Sequence, residues 1–305
     1  MERLGKADAF SIHQLRRHSK RTARIIYRQI WKQGVVLCLL FLVLGIGLFF
    51  LQQLCYTIAG ITIPEEAFVI RFGHAVPRPS AAVTAAGISL LIFVLYAPLS
   101  LGLRRFFLSA VYEKKPKLSK LWYYYEHTHA FRYAVSLQLQ VWCRTFCWAL
   151  LFHLPGLLVL AVWWKSCQTA SVQAEAMRAP LGLLSGLLLL IGILFTFYHS
   201  LGYFLAPYLQ GAGVKGQTAA QAIRISMRLM DGKRKEILLL RFSFVPWFLL
   251  SALVIPLGVV YPYFQTVQAF FAARYIREKR EQIYADRKEM SARTIAVPAV
   301  SVRVR

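Results

Sequence analysis

Several short stretches hold residues that could do chemistry. Gly232-Lys233-Arg234-Lys235 sets a glycine before a run of cations, as a phosphate-binding loop does. Such a loop needs GxxxxGK followed by Ser or Thr after a strand. Here Met227 stands where the upstream glycine belongs, arginine follows the lysine, and the flanks read as helix, so a nucleotide loop is excluded. Glu126-His127-Thr128-His129 resembles a metal-ligand cluster. On a helix, residues two apart point about 200° away from each other, so the two imidazoles cannot face one ion. The stretch reads instead as an interfacial aromatic segment with polar tips, and no metal or other cofactor is expected. His153 and His199 stand alone inside apolar runs. Each suits a proton relay or a polar side chain bonding across a helix interface. No acidic residue falls in any of the apolar spans, which removes the partner of a proton relay and the paired carboxylates of a hydrolase. No catalytic residue is assigned, and no enzymatic activity is expected.

The five cysteines, at 38, 55, 143, 147 and 167, have no zinc-binding spacing. Cys143 and Cys147 read as small buried hydrophobes. Cys55 and Cys167 fall on the same outer side in the topology below, but their spacing does not set the distance a disulfide requires.

The elements that must position these residues are apolar. Of 305 residues, 57% are hydrophobic and 14% aromatic, with a mean hydropathy of +0.49. Soluble domains are about 45–50% apolar, so the excess points to membrane spans rather than to a larger core. A span needs about 20 mostly apolar residues. The runs 34–51, 81–103, 145–164, 181–209 and 237–255 meet this, and 257–276 is long enough despite Pro262, Gln265 and Gln268. The Arg-rich start resembles a transit peptide, but Glu2, Asp8 and the direct run into a span favour a retained segment, and no secretory signal is seen.

The formal charge of +24 would suggest a nucleic-acid partner in a soluble protein. Its distribution argues otherwise. Residues 1–33, 104–133, 210–236 and the tail from Arg274 carry nine, seven, six and nine Lys or Arg. The intervening connections 52–80 and 165–180 carry two each, and 256–261 carries none. Thirty-one against four, alternating without exception, is the bias that places positive loops in the cytoplasm. The expected fold is therefore all-α: a polytopic helical membrane protein with six transmembrane helices, amphipathic interfacial helices and both termini cytoplasmic. Residues 1–33 form a basic cytoplasmic segment, 34–276 the membrane domain and 277–305 a basic cytoplasmic tail. The expected location is the plasma membrane. Arg144 and Arg241 fall near inner span ends, as interfacial anchors within snorkelling reach.

Three times the chain shows a basic, partly amphipathic segment followed by two spans, starting near residues 14, 118 and 216. In the third, Gln217, Gln221, Arg224, Arg228 and Asp231 form a polar stripe, and Ala219, Ile223, Met227 and Met230 an apolar one. Asp231-Gly232 supplies the stop. Such a helix is expected in the inner interface, apolar side down. Arg224, Arg228, Lys233, Arg234 and Lys235 are then the candidate headgroup contacts, with anionic lipids of the bilayer as partners and a membrane-protein partner or second copy as a further one. Pro98, Pro207 and Pro262 mark the second span of each unit as candidate kinks, as in repeat-built transporters. Gly182 and Gly186 fit a small-xxx-small packing pattern.

Segment 218–263 resembles the bacterial multi-pass family known as domain of unknown function 975. The resemblance rests on Ala222, Ile223, Ser226, Leu229, Met230, Gly232, Ser243, Phe244, Trp247, Pro262 and Tyr263. LRRHSKRTARIIYRQIWKQG is similar to that family's basic start. WALLFHLPG, with Trp148, Leu150, Leu151, Pro155 and Gly156, is similar to one of its spans. The long aromatic 104–133 loop and the tail after 276 depart from it. The resemblance implies a membrane protein with about six spans and no established activity, and it brings no catalytic residues.

The function expected is a non-enzymatic membrane protein whose basic collar contacts anionic lipids, organising membrane or docking a partner. A small-molecule transporter or export-system subunit is the alternative, and a membrane-embedded enzyme the third.

Overall fold

The computed structural model describes residues 12–59, 68–71, 74–77, 79–113, 115–168, 172–212, 218–250, 257–280 and 283–284. Most of the expected tail and the first eleven residues lie outside these, as do residues 251–255 of the expected fifth span.

Among the described residues the chain is helical apart from one hairpin. The helices are α1 (Ile12–Ile58), α2 (Pro79–Tyr112), α3 (Tyr123–Glu126), α4 (Thr128–Gln168) and α5 (Val172–Ser200), then α6 (Ala206–Leu209), α7 (Ala219–Met230), α8 (Arg234–Phe242), α9 (Val245–Leu250) and α10 (Leu257–Glu278). Short 3-10 turns precede α3 at Leu118–Leu121 and α6 at Leu201–Tyr203. In the hairpin, β1 (Phe68–Arg71) pairs antiparallel with β2 (His74–Pro77), Val69 facing Val76. No strand was expected in the 52–80 connection.

Four helical segments are long and apolar enough to cross a membrane: Arg17–Ile58, Ala81–Tyr112, Thr128–Gln168 and Glu175–Leu209. They contain the first four expected spans. Between 6% and 17% of their most apolar stretches is buried in the protein. Leu42, Phe49 and Phe50 of α1, Leu150 and Leu158 of α4, and Leu187 and Phe195 of α5 all stand exposed. Apolar side chains bare along whole helices suit a hydrocarbon solvent rather than water. The expected fifth span is not one helix over its described part, because α8 and α9 are separated at Ser243-Phe244. The sixth, α10, is a single helix, but Gln265–Ala273 is buried continuously. Its small residues Ala269, Ala272 and Ala273 allow close packing against protein.

The basic segments are not three copies of an interface helix. The first belongs to α1, 47 residues long and about 70 Å end to end. No proline interrupts it, so the basic half and the apolar half propagate as one helix. The second is split into a 3-10 turn, α3 and the start of α4, and α4 then runs unbroken through Arg144. Residues 133–144 are thus part of the same rod as the span they precede. Only the third, α7, is a separate helix.

The chain divides into two compact units. In the first, α1, α2 and α10 pack together. Ser19, Ala23, Ile26, Ile30 and Leu37 form the buried seam of α1, at helical three- and four-residue steps. Arg17, Arg21, Arg24 and Arg28 lie exposed beside it. On α2 the buried stretch is Ala97–Phe107, toward its C-terminal end. The core of this unit therefore lies at the basic ends of its long helices, and their apolar lengths extend beyond it. In the second unit the core is Leu201–Leu209 with the apolar faces of α7 and α8.

Candidate functional site

The collar of the second unit is built on α7 and α8. Thr218 starts α7 with a capping box: its hydroxyl accepts from the Gln221 amide at 3.3 Å, and the Gln221 side chain accepts from the Thr218 amide at 3.0 Å. The Thr-x-x-Gln signal for it stands in the sequence but forms no part of the expectations above. Ala222, Ile223, Ile225, Leu229 and Met230 are buried, and Arg224 and Arg228 are exposed on the other side. Over Ala219–Asp231 the two expected stripes are present, with Gln221 and Met227 half-buried and Gln217 outside the described residues. The expectation of an apolar side down in lipid is corrected. That face packs on the 3-10 turn Leu201–Tyr203 and on α6, because those segments offer an apolar surface within the same unit.

After Met230 the chain turns through Gly232, whose φ of 71° is a conformation that β-carbons disfavour. The Lys233 amide closes the turn on the Met230 carbonyl at 3.1 Å, and α8 begins at Arg234. Lys233 pairs with Glu236 at 2.9 Å, and Lys235 is exposed. Arg234 is not. Its guanidinium lies 5.8 Å from the Tyr198 ring centre, and its Nε is buried without a hydrogen-bond partner. Two turns on, Arg241 lies 5.8 Å from the Phe197 ring centre and 5.4 Å from that of Phe204.

One buried hydroxyl joins α7 to the end of α5. The 3-10 turn redirects the Leu201 carbonyl to the Phe204 amide, leaving the Leu205 amide without its helical acceptor. Ser226 Oγ accepts from that amide at 3.1 Å and donates to the Gly202 carbonyl at 2.7 Å. Pro207 follows at the start of α6, where a missing N–H costs nothing. Of the three prolines, Pro207 coincides with a break, whereas Pro98 and Pro262 sit inside continuous helices. In the first unit Tyr125 donates its hydroxyl to the Leu95 carbonyl, close before Pro98.

The lone histidines occupy packing positions. His199 stacks on Trp148 at 4.4 Å and lies 5.2 Å from Phe152, so it bridges α4 and α5 as a ring. Trp148 also donates Nε1–H to the Tyr203 hydroxyl at 3.2 Å. His153 bonds the Ala149 carbonyl one turn back at 2.7 Å. Arg144 reaches Met227 Sδ at 3.8 Å. His127 sits in extended backbone between α3 and α4, 5.2 Å from the Tyr123 ring. Arg105 covers Tyr123 at 3.5 Å. Burial pushes the neighbouring Tyr124 phenol above its ordinary value, and the Arg105 guanidinium offsets only part of that. All five cysteines are free thiols; Cys38 is buried, but Cys143 and Cys147 are exposed along α4 rather than buried as expected. Gly182 lies against Trp163, while Gly186 faces open space.

Chemically the arrangement is cationic. Cations are displayed on rigid short helices, two of them against aromatic rings, beside a helix of membrane-crossing length. Among the described residues no group of three or more His, Cys, Asp or Glu comes together as a metal site would require. No curated protein and no solved structure matches the chain. The model of one family, described as a protein of unknown function (DUF975), matches residues 14–279. Across that length, including the capped basic helix, its glycine stop and the Trp148 span, the chain belongs to the DUF975 family of proteins of unknown function.

Proposed function

We propose that this is a non-enzymatic protein of the bacterial plasma membrane, whose basic cytoplasmic collar binds anionic lipid headgroups and thereby organises membrane or docks a partner. It crosses the bilayer six times with both termini inside. The alternation of charge between the apolar runs supports this topology. Under it α10 crosses as a protein-shielded helix, and α8 and α9 supply the broken fifth crossing.

The observation that carries the headgroup reading is the exposure of Arg224, Arg228, Lys233 and Lys235 on segments that turn other side chains, among them Ile223, Met230, Ile237 and Leu240, into the core of their unit. Lys233 also pairs with Glu236 at 2.9 Å. Each cation near an anionic surface contributes about 1 kcal/mol, screened by salt. The test is reconstitution with mixed phosphatidylglycerol and phosphatidylcholine, comparing unaltered protein with a variant carrying Gln at 224, 228, 233, 234 and 235. Loss of anionic enrichment around the variant is expected; equal enrichment around both sinks the collar.

A second reading, as a small-molecule transporter or export-system subunit, draws on the break between α5 and α6 at Pro207. Interrupted helices expose backbone groups where transporters hold substrates. Solute uptake into proteoliposomes, abolished by straightening the break with Pro207→Ala, would favour it.

A further inference from the structure

Within the collar, Arg234 and Arg241 differ from their neighbours. They lie seven residues apart on one face of α8, about 10 Å along its axis. Both guanidiniums are placed over rings at the end of α5 and the start of the break: Tyr198 for Arg234, Phe197 and Phe204 for Arg241. The Tyr198 ring face attracts the Arg234 cation and fixes its plane, but it satisfies few of that side chain's five N–H donors. The buried Arg234 Nε has no hydrogen-bond acceptor in the protein. Gly202 presents no Cβ on the side where the Arg234 fork lies; a Cβ built there would meet Nη2 at 3.6 Å.

Apolar surface continues from this point. Phe195 and Leu194 on α5, and Phe242, just past Arg241, are exposed. A ligand that satisfied the guanidinium donors with oxygen would also find room for hydrocarbon. Free phosphate uses only the first of these features. Exposed Lys233 and Lys235 flank Arg234, so the local field favours an anion.

We propose that Arg234 and Arg241 form a structural clamp for the phosphate of an anionic lipid in the inner leaflet, with the acyl chains along α5. This rests on the membrane topology proposed above, but not on the exposed collar. The collar attracts headgroups diffusely; the clamp holds one lipid through the planar fork that arginine has and lysine lacks.

The experiment uses the full chain in mild detergent with phosphatidylglycerol and phosphatidylcholine, read by native mass spectrometry. Bound lipid is counted after washing at about 0.1 M and about 1 M salt, the latter shortening the screening length to about 3 Å. The unaltered protein is expected to keep one phosphatidylglycerol at high salt. Replacing Arg224, Arg228, Lys233 and Lys235 by Gln leaves that lipid in place while abolishing the wider anionic enrichment at low salt. The charge-conserving pair Arg234→Lys and Arg241→Lys weakens its retention about tenfold, as expected for losing one charge-assisted bond. Removal of the lipid from unaltered protein by salt alone overturns the clamp, whatever the folding of the variants. Equal retention by the lysine pair also overturns it. Displacement by millimolar inorganic phosphate overturns the lipid as the source of the phosphate. If the Gln variant keeps its enrichment, the collar fails and the clamp stands.

Discussion

Replacing Ser226 by alanine should unlatch α7 from the end of α5. The residue is 0% exposed and its hydroxyl makes two bonds, from the Leu205 amide and to the Gly202 carbonyl. Alanine fits the space but leaves a buried donor and a buried acceptor unpaired. Each orphan costs about 1–3 kcal/mol, with the carbonyl at the lower end because it has a second lone pair. The expected loss is about 2–4 kcal/mol for this unit, or from about 30-fold to several hundred-fold in its unfolding equilibrium. Graded denaturation in micelles, read by far-UV dichroism, measures the total. Hydrogen exchange at the Leu205 amide measures the cause, since that proton loses its acceptor. Ser226→Cys, a weaker donor in nearly the same volume, should fall between the two. A loss below about 0.5 kcal/mol with unchanged Leu205 exchange would refute the account, for it would mean that water or a shifted backbone already serves both groups.

Gly102→Ala should break the seat of the 3-10 turn on α2, because its Cβ would stand 2.0 Å from the Leu121 carbonyl oxygen. Gly87→Ala on the same helix meets nothing within 4 Å and should leave melting unchanged or slightly raised, so the pair separates clash from composition. Trp148→Phe should cost about 1–2 kcal/mol, from the lost bond to the Tyr203 hydroxyl at 3.2 Å and a poorer stack on His199; denaturation in micelles reads it. For pH, burial raises the Tyr124 and Tyr125 phenols in the fold relative to the unfolded chain. Their contribution is thus fully present below about pH 10 and lost as pH rises toward the folded values. Melting should fall with alkali above about pH 10, less steeply in Tyr124→Phe.

The sequence was most legible where the pattern is local. Arg224 and Arg228 against Ile223 and Met230 declare the two faces of α7 within twelve residues, and Gly232 marks its stop where φ is indeed positive. What covers an apolar face is not local. Ile223 facing lipid and Ile223 facing the core of its own unit give the same periodicity, so packing on α6 is not distinguishable from interfacial burial in the sequence. The partners of Ser226 lie 21 and 24 residues upstream, beyond any helical spacing. Dividing residues 1–33 from 34–51 followed hydropathy, whereas helix continuity follows the backbone, and nothing in α1 interrupts its hydrogen bonds. The break at Ser243-Phe244 was hidden inside an apolar run for the same reason. There the Ser243 hydroxyl donates to the Leu240 carbonyl at 2.6 Å, competing locally with the helix. Cys143 and Cys147 were misjudged because apolar character predicts removal from water, and a bilayer removes them as well as a core does.

Several of the residues on which the resemblance to the family rests have structural roles. Ala222, Ile223, Leu229 and Met230 are buried, Ser226 latches a broken helix, and Gly232 allows a turn. In the first unit Phe244 is buried under the Lys20 ammonium and against Tyr263, whose hydroxyl donates to the Lys20 carbonyl at 3.1 Å. Both cores sit where the long apolar helices of their units meet the basic residues, so each fixes how arginines and lysines are held at the foot of a span. Under the proposed function these cores mount cations beside membrane-length helices, which is the property that the collar and clamp variants test.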